Sequence, residues 1–189
     1  MKTVQTARLI LRQWREEDFE AFAEFWADAS TVAFVGGPVP REDAWRRMLY
    51  FIGHWHLRGF GFFVVEDRAT GTMTGYCGAQ RPVDKLEPEL GWGIFPRFQG
   101  RGYATEAMHA VLRVAFSKLG WKTAISLIAE DNLASQAVAR KLGGAVERYI
   151  DINGRRCGVY RHIFPPPSIY LNSRSGEPGD SNRGTRTQK

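Results

Sequence analysis

Residues 90–107 of the 189-residue chain read Leu90-Gly91-Trp92-Gly93-Ile94-Phe95-Pro96-Arg97-Phe98-Gln99-Gly100-Arg101-Gly102-Tyr103-Ala104-Thr105-Glu106-Ala107. The apolar run before Pro96 predicts a β-strand, and the amphipathic run from Ala104 onward predicts a helix. Between them, Gly100 and Gly102 allow positive φ angles and let a ligand approach the backbone closely. The first amide N–H groups of a helix lack intrahelical acceptors and lie at the positive end of its dipole. This strand–loop–helix unit therefore predicts a phosphate-binding site.

Two common phosphate-binding motifs fit this loop poorly. A Walker A loop needs Gly-Lys-Ser/Thr after four spacer residues, and no such lysine is present. The dinucleotide fingerprint GxGxxG would begin at Gly100, but Thr105 stands at its third glycine position. The pattern that does fit is Gln99-x-x-Gly102-x-Ala104.

Several other segments match the context of that pattern. Asn132-x-x-Ser135 opens the helix after the next predicted strand, and Lys141-Leu142-Gly143 ends it. With residues 6–12 and 89–92, these motifs make the chain resemble the GNAT superfamily of acyl-CoA-dependent N-acetyltransferases. Within that superfamily it is most similar to the branch that contains ribosomal-protein N-terminal acetyltransferases. The resemblance covers about residues 6–164 and implies the acyl-CoA N-acyltransferase fold.

The periodicity predicts an α/β (α+β) domain with a mixed, mostly antiparallel, twisted sheet of about seven strands and about four flanking helices. The predicted strands span residues 7–14, 60–66, 72–80, 89–95, 122–129, 146–152 and 155–164, and the predicted helices span 16–29, 41–56, 104–118 and 133–142. We expect residues 1–164 to form one domain. Residues 165–189, rich in Pro, Gly, Ser and Arg, are predicted to form a disordered tail.

The composition narrows the function further. Hydrophobic residues make up 43% and charged residues 24%, as in a globular domain, and no apolar run is long enough to cross a membrane. The start of the chain has no secretory signal, and two distant cysteines, Cys77 and Cys157, build neither a disulfide framework nor a zinc site. We therefore expect a cytoplasmic protein without a metal. The net charge of +6 suits an anionic ligand but is too mild and scattered for nucleic acid, and a homodimer is left open.

The resemblance implies acetyl-CoA as the acyl donor and co-substrate. The backbone amides of residues 99–105 would hold its pyrophosphate, and the strand that ends at Ile94 and Phe95 would offer its edge to the pantetheine arm. Asn132 would both cap its helix and bond the pantetheine. The residues assigned to acetyl-CoA in this way are Ile94, Phe95, Gln99, Gly100, Arg101, Gly102, Tyr103, Ala104, Thr105, Asn132 and Ser135.

Acetyl transfer to an amine needs a base, because an attacking amine must be neutral and amine pKa values lie at about 8 to about 10.4. Glu89 opens the cofactor strand and is the predicted base. Ser135 is the predicted donor of a proton to the departing thiolate. Many superfamily members carry a tyrosine acid in the last helix, whereas this chain has Ala139 at that position. Glu106 is expected to serve the first turn of its helix.

The acceptor is left open between a protein N-terminus and a small-molecule amine. Aromatic residues of the first two helices and the adjoining loop are candidates to line an apolar acceptor pocket, and none is assigned individually. These residues are Phe25, Trp26, Phe34, Trp45, His54 and Trp55. The alternative function, motivated by the missing tyrosine, is a catalytically weak or silent acyl-CoA-binding sensor.

Overall fold

The computed structural model describes residues 3–83 and 87–163. Its strands are β1 (Thr3–Gln5), β2 (Leu9–Arg12), β3 (Phe62–Asp67), β4 (Met73–Gln80), β5 (Glu89–Ile94), β6 (Thr123–Ala129), β7 (Ala145–Ile152) and β8 (Arg155–Ile163), and its helices are α1 (Phe19–Ala27), α2 (Arg41–Arg58), α3 (Tyr103–Ser117) and α4 (Leu133–Lys141). The predicted fold class and element order are confirmed, with one strand more than expected. The tail predicted at residues 165–189 lies outside the described residues.

The additional strand is β1, which pairs antiparallel with β2 from Thr3↔Arg12 to Gln5↔Ile10. It has only three residues, too few for a period-two pattern to be read from the sequence. The strand predicted at residues 7–14 is shorter in the structure, and a 3₁₀ turn at Glu16–Asp18 precedes α1.

The eight strands form one sheet in the order β1-β2-β3-β4-β5-β6-β8-β7. Helices α1 and α2 cover one face, where Phe22 and Met48 pack against Val64, Tyr76 and Phe95. The opposite face is covered by α3 and α4, and its core includes Leu9, Leu11, Phe63, Val65, Leu90, Ala107, Met108, Val111, Leu112 and Leu142. We call these the α1/α2 face and the α3/α4 face. None of the helices within residues 3–83 and 87–163 is both long and apolar enough to cross a membrane.

The centre of the sheet contains its one parallel neighbour pair. Strands β5 and β6 are in register only at Glu89↔Ile125, whereas β6 pairs with β8 from Thr123↔Ile163 to Ala129↔Cys157. Beyond Glu89 the two parallel strands separate, and β5 keeps only its antiparallel partner β4. A V-shaped opening therefore lies between β5 and β6, with its vertex at Glu89 and its mouth at the carboxyl ends of both strands.

Two glycines of β4 allow the strands beside this opening to lie unusually close together. A Cβ atom on Gly75 would lie 2.9 Å from Ile94 Cα and closer still to the carbonyl oxygen of Gly93. A Cβ atom on Gly78 would lie 2.6 Å from Phe62 Cα. Since all these neighbours are backbone atoms, a side chain could be accommodated only by moving a strand.

We expect Gly75→Ala to lower the free energy of unfolding by about 1–3 kcal/mol, because the added methyl group overpacks the β4–β5 interface. Urea denaturation followed by circular dichroism measures the change. The matched control is Gly53→Ala, at a helical position of α2 where a Cβ meets nothing within 4 Å. That substitution should leave stability unchanged or raise it slightly. Equal effects of the two substitutions would contradict the close approach of β4 and β5.

Candidate active site

The loop after β5 is closed by local hydrogen bonds. Residues Pro96–Phe98 form a 3₁₀ turn, and the Gln99 amide N–H donates to the Pro96 carbonyl at 3.1 Å. The Gln99 side chain donates from Nε2 to the Ile94 carbonyl at 2.9 Å. Gln99 therefore shapes the loop. Because its amide N–H already has an acceptor, the open amides begin after Gln99.

The start of α3 presents the open amides. Gly100 and Gly102 have φ angles of 74° and 78°, and Gly102 is the N-cap of the helix, with no side chain capping it. The first helical bond runs from the Glu106 N–H to the Gly102 carbonyl at 3.0 Å. The N–H groups of residues 102–105 therefore have no intrahelical acceptor. A Cβ atom on Gly100 would meet nothing within 4 Å, so the loop is open to a ligand.

A network around Glu106 holds this helix start in place. The Glu106 carboxylate accepts hydrogen bonds from Thr6 Oγ1 at 2.6 Å, from the Arg8 amide at 2.8 Å and from Arg8 Nε at 2.7 Å. Arg8 Nη1 also donates to the Arg101 carbonyl at 2.9 Å. Glu106 thus joins α3 to the turn between β1 and β2, and Arg8 neutralises its charge beside the anion-binding amides.

The side chains of Tyr103 and Arg101 serve different purposes in this loop. The Tyr103 hydroxyl donates to Asp67 Oδ2 at 2.7 Å, and its ring stacks on Phe98 with centroids 6.5 Å apart. The phenol is therefore held by Asp67 and Phe98, while the backbone N–H of Tyr103 belongs to the open set. Arg101 is exposed, with Cζ 5.5 Å from the Phe98 ring centroid. Its charge adds to the positive end of the helix dipole.

The edge of β5 that faces the opening carries main-chain groups. The Phe95 N–H donates to the Thr74 carbonyl of β4 at 3.0 Å. By the alternation of an antiparallel ladder, the peptide groups of Trp92 and Ile94 are directed to the other side, where β6 has moved away. Gln99 takes up the Ile94 carbonyl. The main chain of Trp92 is therefore presented to the opening, on the strand edge that the sequence analysis assigned to the pantetheine arm.

Helix α4 brings Asn132 and Ser135 to the mouth of the opening. Asn132 Oδ1 accepts a hydrogen bond from the Ser135 amide at 3.1 Å, which confirms the N-cap. Because β5 and β6 run parallel, this helix start lies at the same sheet edge as the Gly100–Gly102 loop. Ala139 follows Ser135 by one turn and is buried with Ile128 and Tyr160, and Trp92 packs against this cluster from β5.

At the vertex, Glu89 is half-buried and paired with Gln80 of β4. The chain just before it is fixed by Arg161 of β8, which is in register with Ile125. Arg161 binds Glu87 through its two terminal nitrogens, Nη1 and Nη2. It also binds Glu147 at 2.7 Å and donates to Thr123 at 3.0 Å. This clamp fixes the position at which β5 begins. Because its bonds join residues far apart in the chain, no local sequence pattern predicts them.

On the α1/α2 face, a contact between the β7–β8 hairpin and the loop that joins α1 to α2 crosses the mouth of the opening. Arg155, at the start of β8, donates from Nη1 to the Ala33 carbonyl at 2.7 Å, and its Cζ lies 5.5 Å from the Phe34 ring centroid. The loop between α1 and α2 thus meets the β7–β8 hairpin across β6.

The two thiols are poor nucleophiles. Cys77 lies opposite Trp92 in the β4–β5 ladder, but it is fully buried, and burial raises its pKa. Burial also raises the pKa of Cys157. Within the two described ranges, no three His, Cys, Asp or Glu side chains are grouped so as to hold a metal ion.

An opened parallel pair, a glycine-flanked helix start and a capped second helix at one sheet edge define an acetyltransferase of the GNAT type. The family model described as "Acetyltransferase (GNAT) domain" matches residues 8–145, and the chain belongs to this family. Among solved structures, an acetyltransferase from Agrobacterium tumefaciens is 32% identical, with a TM-score of 0.78, and the match covers 86% of this chain and 94% of that one.

Other relatives share less sequence. The N-acetyltransferase YnaD of Bacillus subtilis, named as uncharacterised, is 26% identical over 74% of this chain and 81% of its own length. A coenzyme A complex of RimL, named a ribosomal L7/L12 α-N-protein acetyltransferase, has a TM-score of 0.73 over 86% of this chain and 98% of its own, at 18% identity. That similarity concerns the fold alone.

The Glu106 network makes stability depend on pH. Partial burial raises the pKa of Glu106, but the hydrogen bonds from Thr6 and Arg8 and the Arg8 charge outweigh it, so the pKa lies below its ordinary value of 4.5. The resulting stabilisation is complete above the unfolded-state pKa and is lost as the pH falls through the folded-state pKa. We expect Glu106→Gln to lower the free energy of unfolding by about 2 kcal/mol at neutral pH.

Urea denaturation at a series of pH values checks this expectation. The difference between wild type and Glu106→Gln should shrink as the pH falls below about 4. Glu17→Gln, at an exposed position remote from α3, is the control and should change stability little at any pH. A difference that stays constant down to strongly acidic pH would show that Glu106 does not act through its charge.

Proposed function

We propose that the protein transfers the acetyl group of acetyl-CoA to a primary amine by direct attack of the amine on the thioester. The observation that carries the proposal is that three features share one sheet edge. These are the open amides of residues 102–105, the exposed edge of β5 and the capped start of α4. Family membership supports the acetyltransferase chemistry and acetyl-CoA as the donor.

The residues at this edge fit acetyl-CoA. The N–H groups from Gly100 to Thr105 would hold the pyrophosphate, because no side chain caps the helix and no Cβ blocks the loop. Arg101 would add charge to that site. The pantetheine arm would lie along β5 as an added strand, bonded to the main chain of Trp92, to the Ile94 N–H and to Asn132, whereas the Phe95 N–H is already bonded to Thr74.

The proposed reaction takes place at the vertex of the opening, where Glu89 lies. Glu89 takes a proton from the ammonium group, directly or through water, and releases it to solvent, so that a neutral nitrogen attacks the thioester carbonyl. The C–N bond forms and the C–S bond breaks. Ser135 gives its proton to the departing sulfur and regains one, through water, from the nitrogen as it becomes the amide. A main-chain N–H of β5 stabilises the charge that develops on the carbonyl oxygen. With Ala139 in place of a tyrosine, the leaving thiolate, of pKa about 8.5, places only a modest demand on an acid.

Two observations separate this proposal from its alternatives. A covalent route through cysteine is disfavoured because both thiols are buried, which raises the pKa of each. A silent acyl-CoA sensor would not need a carboxylate at the vertex or a clamp that fixes its position. The acceptor is a small-molecule amine or a protein N-terminus, and we place the reaction in the cytoplasm, where buried free thiols stay reduced.

We expect Glu89→Gln to lower kcat by roughly 10²–10⁴-fold, because the amide cannot accept the proton of the amine. Thiol release from acetyl-CoA in the presence of a panel of primary amines measures the rate. Calorimetry should show unchanged coenzyme A affinity. Glu42→Gln, an exposed position of α2, is the control and should keep full activity. A Glu89→Gln variant of wild-type rate would remove Glu89 from the mechanism.

We expect Gly100→Asp to weaken coenzyme A binding by tenfold or more, because a carboxylate beside the open amides repels the diphosphate. Gly100→Asn is the matched control, since Asn and Asp both tolerate the left-handed conformation and differ mainly in charge. Calorimetry at low and high salt measures both variants, and the gap between them should narrow as salt screens the repulsion. Equal affinities at low salt would place the diphosphate elsewhere.

A further inference from the structure

Three side chains on the α1/α2 face contact one another and carry hydrogen-bond donors that have no acceptor within the described residues. Trp26, near the end of α1, is 3% exposed, and its indole Nε1 has no hydrogen-bond partner within the described residues. Arg47 of α2 lies over the indole, with Cζ 4.1 Å from the ring centroid. Tyr76 of β4 stacks on Trp26 at an interplanar angle of 20°, with centroids 6.5 Å apart. We call these three residues the donor cluster.

The donor cluster lies against the cofactor strand. Tyr76 pairs with Gly93 in the β4–β5 ladder, and a Cβ atom on Gly93 would lie 2.9 Å from Tyr76 Cε1 and 3.0 Å from its Cζ. A Cβ atom there would also lie 2.7 Å from Phe25 Cζ, so the rings of Tyr76 and Phe25 together cover the backbone of β5 on the face opposite α3 and α4. Tyr76 is buried, with 7% of the residue exposed, and its hydroxyl makes no hydrogen bond within the described residues.

Arg47 is unusual among the arginines of α2. It is half-buried and makes no ion pair with any carboxylate in residues 3–83 and 87–163, whereas exposed Arg46 pairs with Glu42 and Asp43. A charge removed from water is stable only when it is paired or bonded. A guanidinium beside two neutral donors provides the partners that a carboxylate requires.

The ionisation of Tyr76 is consistent with this role. Burial raises the pKa of its hydroxyl, and the positive charge of Arg47 partly opposes the shift. The phenol therefore remains protonated at physiological pH and stays a donor.

We propose that Arg47, Trp26 and Tyr76 form a subsite for a carboxylate carried by the amine substrate. This inference rests on the proposed function and specifies the class of acceptor. The subsite lies beside Gly93, and the reaction occurs near Leu90, three residues back along β5. At a rise of about 3.3 Å per residue, the two points are roughly 10 Å apart. The acceptor is therefore an extended amine whose anionic group lies several bonds from the nitrogen.

The test uses ω-amino acids of increasing length and their carboxamides as acceptors at saturating acetyl-CoA. The probes are glycine, 6-aminohexanoate and 8-aminooctanoate, each paired with its amide. We expect the long amino acids to have a KM roughly tenfold to a hundredfold lower than their amides, the range set by a charge-assisted hydrogen bond. Glycine and its amide should not differ in this way. Equal KM values in every pair would overturn the subsite while leaving the acetyltransferase activity in place.

Single substitutions test which residues produce the preference for the carboxylate. Arg47→Gln should abolish the preference for the carboxylate by raising KM, with kcat for the carboxamides unchanged. Tyr76→Phe should reduce the preference and keep the ring packing. Arg46→Gln, which removes the neighbouring charge from the outer surface of α2, is the control and should keep the preference. A preference that survives Arg47→Gln would assign it to another part of the protein.

A binding experiment separates failure of the subsite from failure of the proposed function. Calorimetry would measure 8-aminooctanoate binding to the protein saturated with coenzyme A. If no amine is acetylated, the proposed function fails, but carboxylate-dependent binding that is lost in Arg47→Gln would still support the subsite. Absence of binding in the wild type, with coenzyme A bound, would overturn it.

Discussion

The separation of β5 from β6 after one backbone pair is the constraint on which the site depends. A central strand normally bonds to neighbours on both sides, and peptide groups left without partners inside a protein are unfavourable. Here β4 satisfies one side of β5 along its length, while the other side opens beyond Glu89. The opening thus keeps a set of backbone donors and acceptors available for an extended ligand at the middle of the sheet.

Two side-chain networks and one close strand contact fix the shape of the opening. At the vertex, Arg161 joins the chain before β5 to β7 and β8 through Glu87 and Glu147. At the mouth, Glu106 joins the start of α3 to Thr6 and Arg8. The close approach of β4, which Gly75 and Gly78 permit, holds β5 from its other side. Each end of the cofactor strand is therefore anchored to a different part of the sheet.

The sequence was most informative where structure is local. The strand–loop–helix of residues 90–107 and the Asn132 cap follow from neighbouring residues, and both were predicted. Long-range contacts were not, because the bonds of Glu106 to Thr6 and Arg8 join residues about a hundred positions apart. Another long-range contact lies at Gly144, where His162 fills the space beside the backbone, since a Cβ atom on Gly144 would lie 2.6 Å from its Cε1.

The span from Arg155 to Ala33 and Phe34 has a consequence for what can reach the vertex. It joins a loop on one side of the V to a hairpin on the other, so a molecule entering from the α1/α2 face must pass beneath or beside it. Any widening of the mouth on this face must therefore break a charged hydrogen bond and a cation–π contact together.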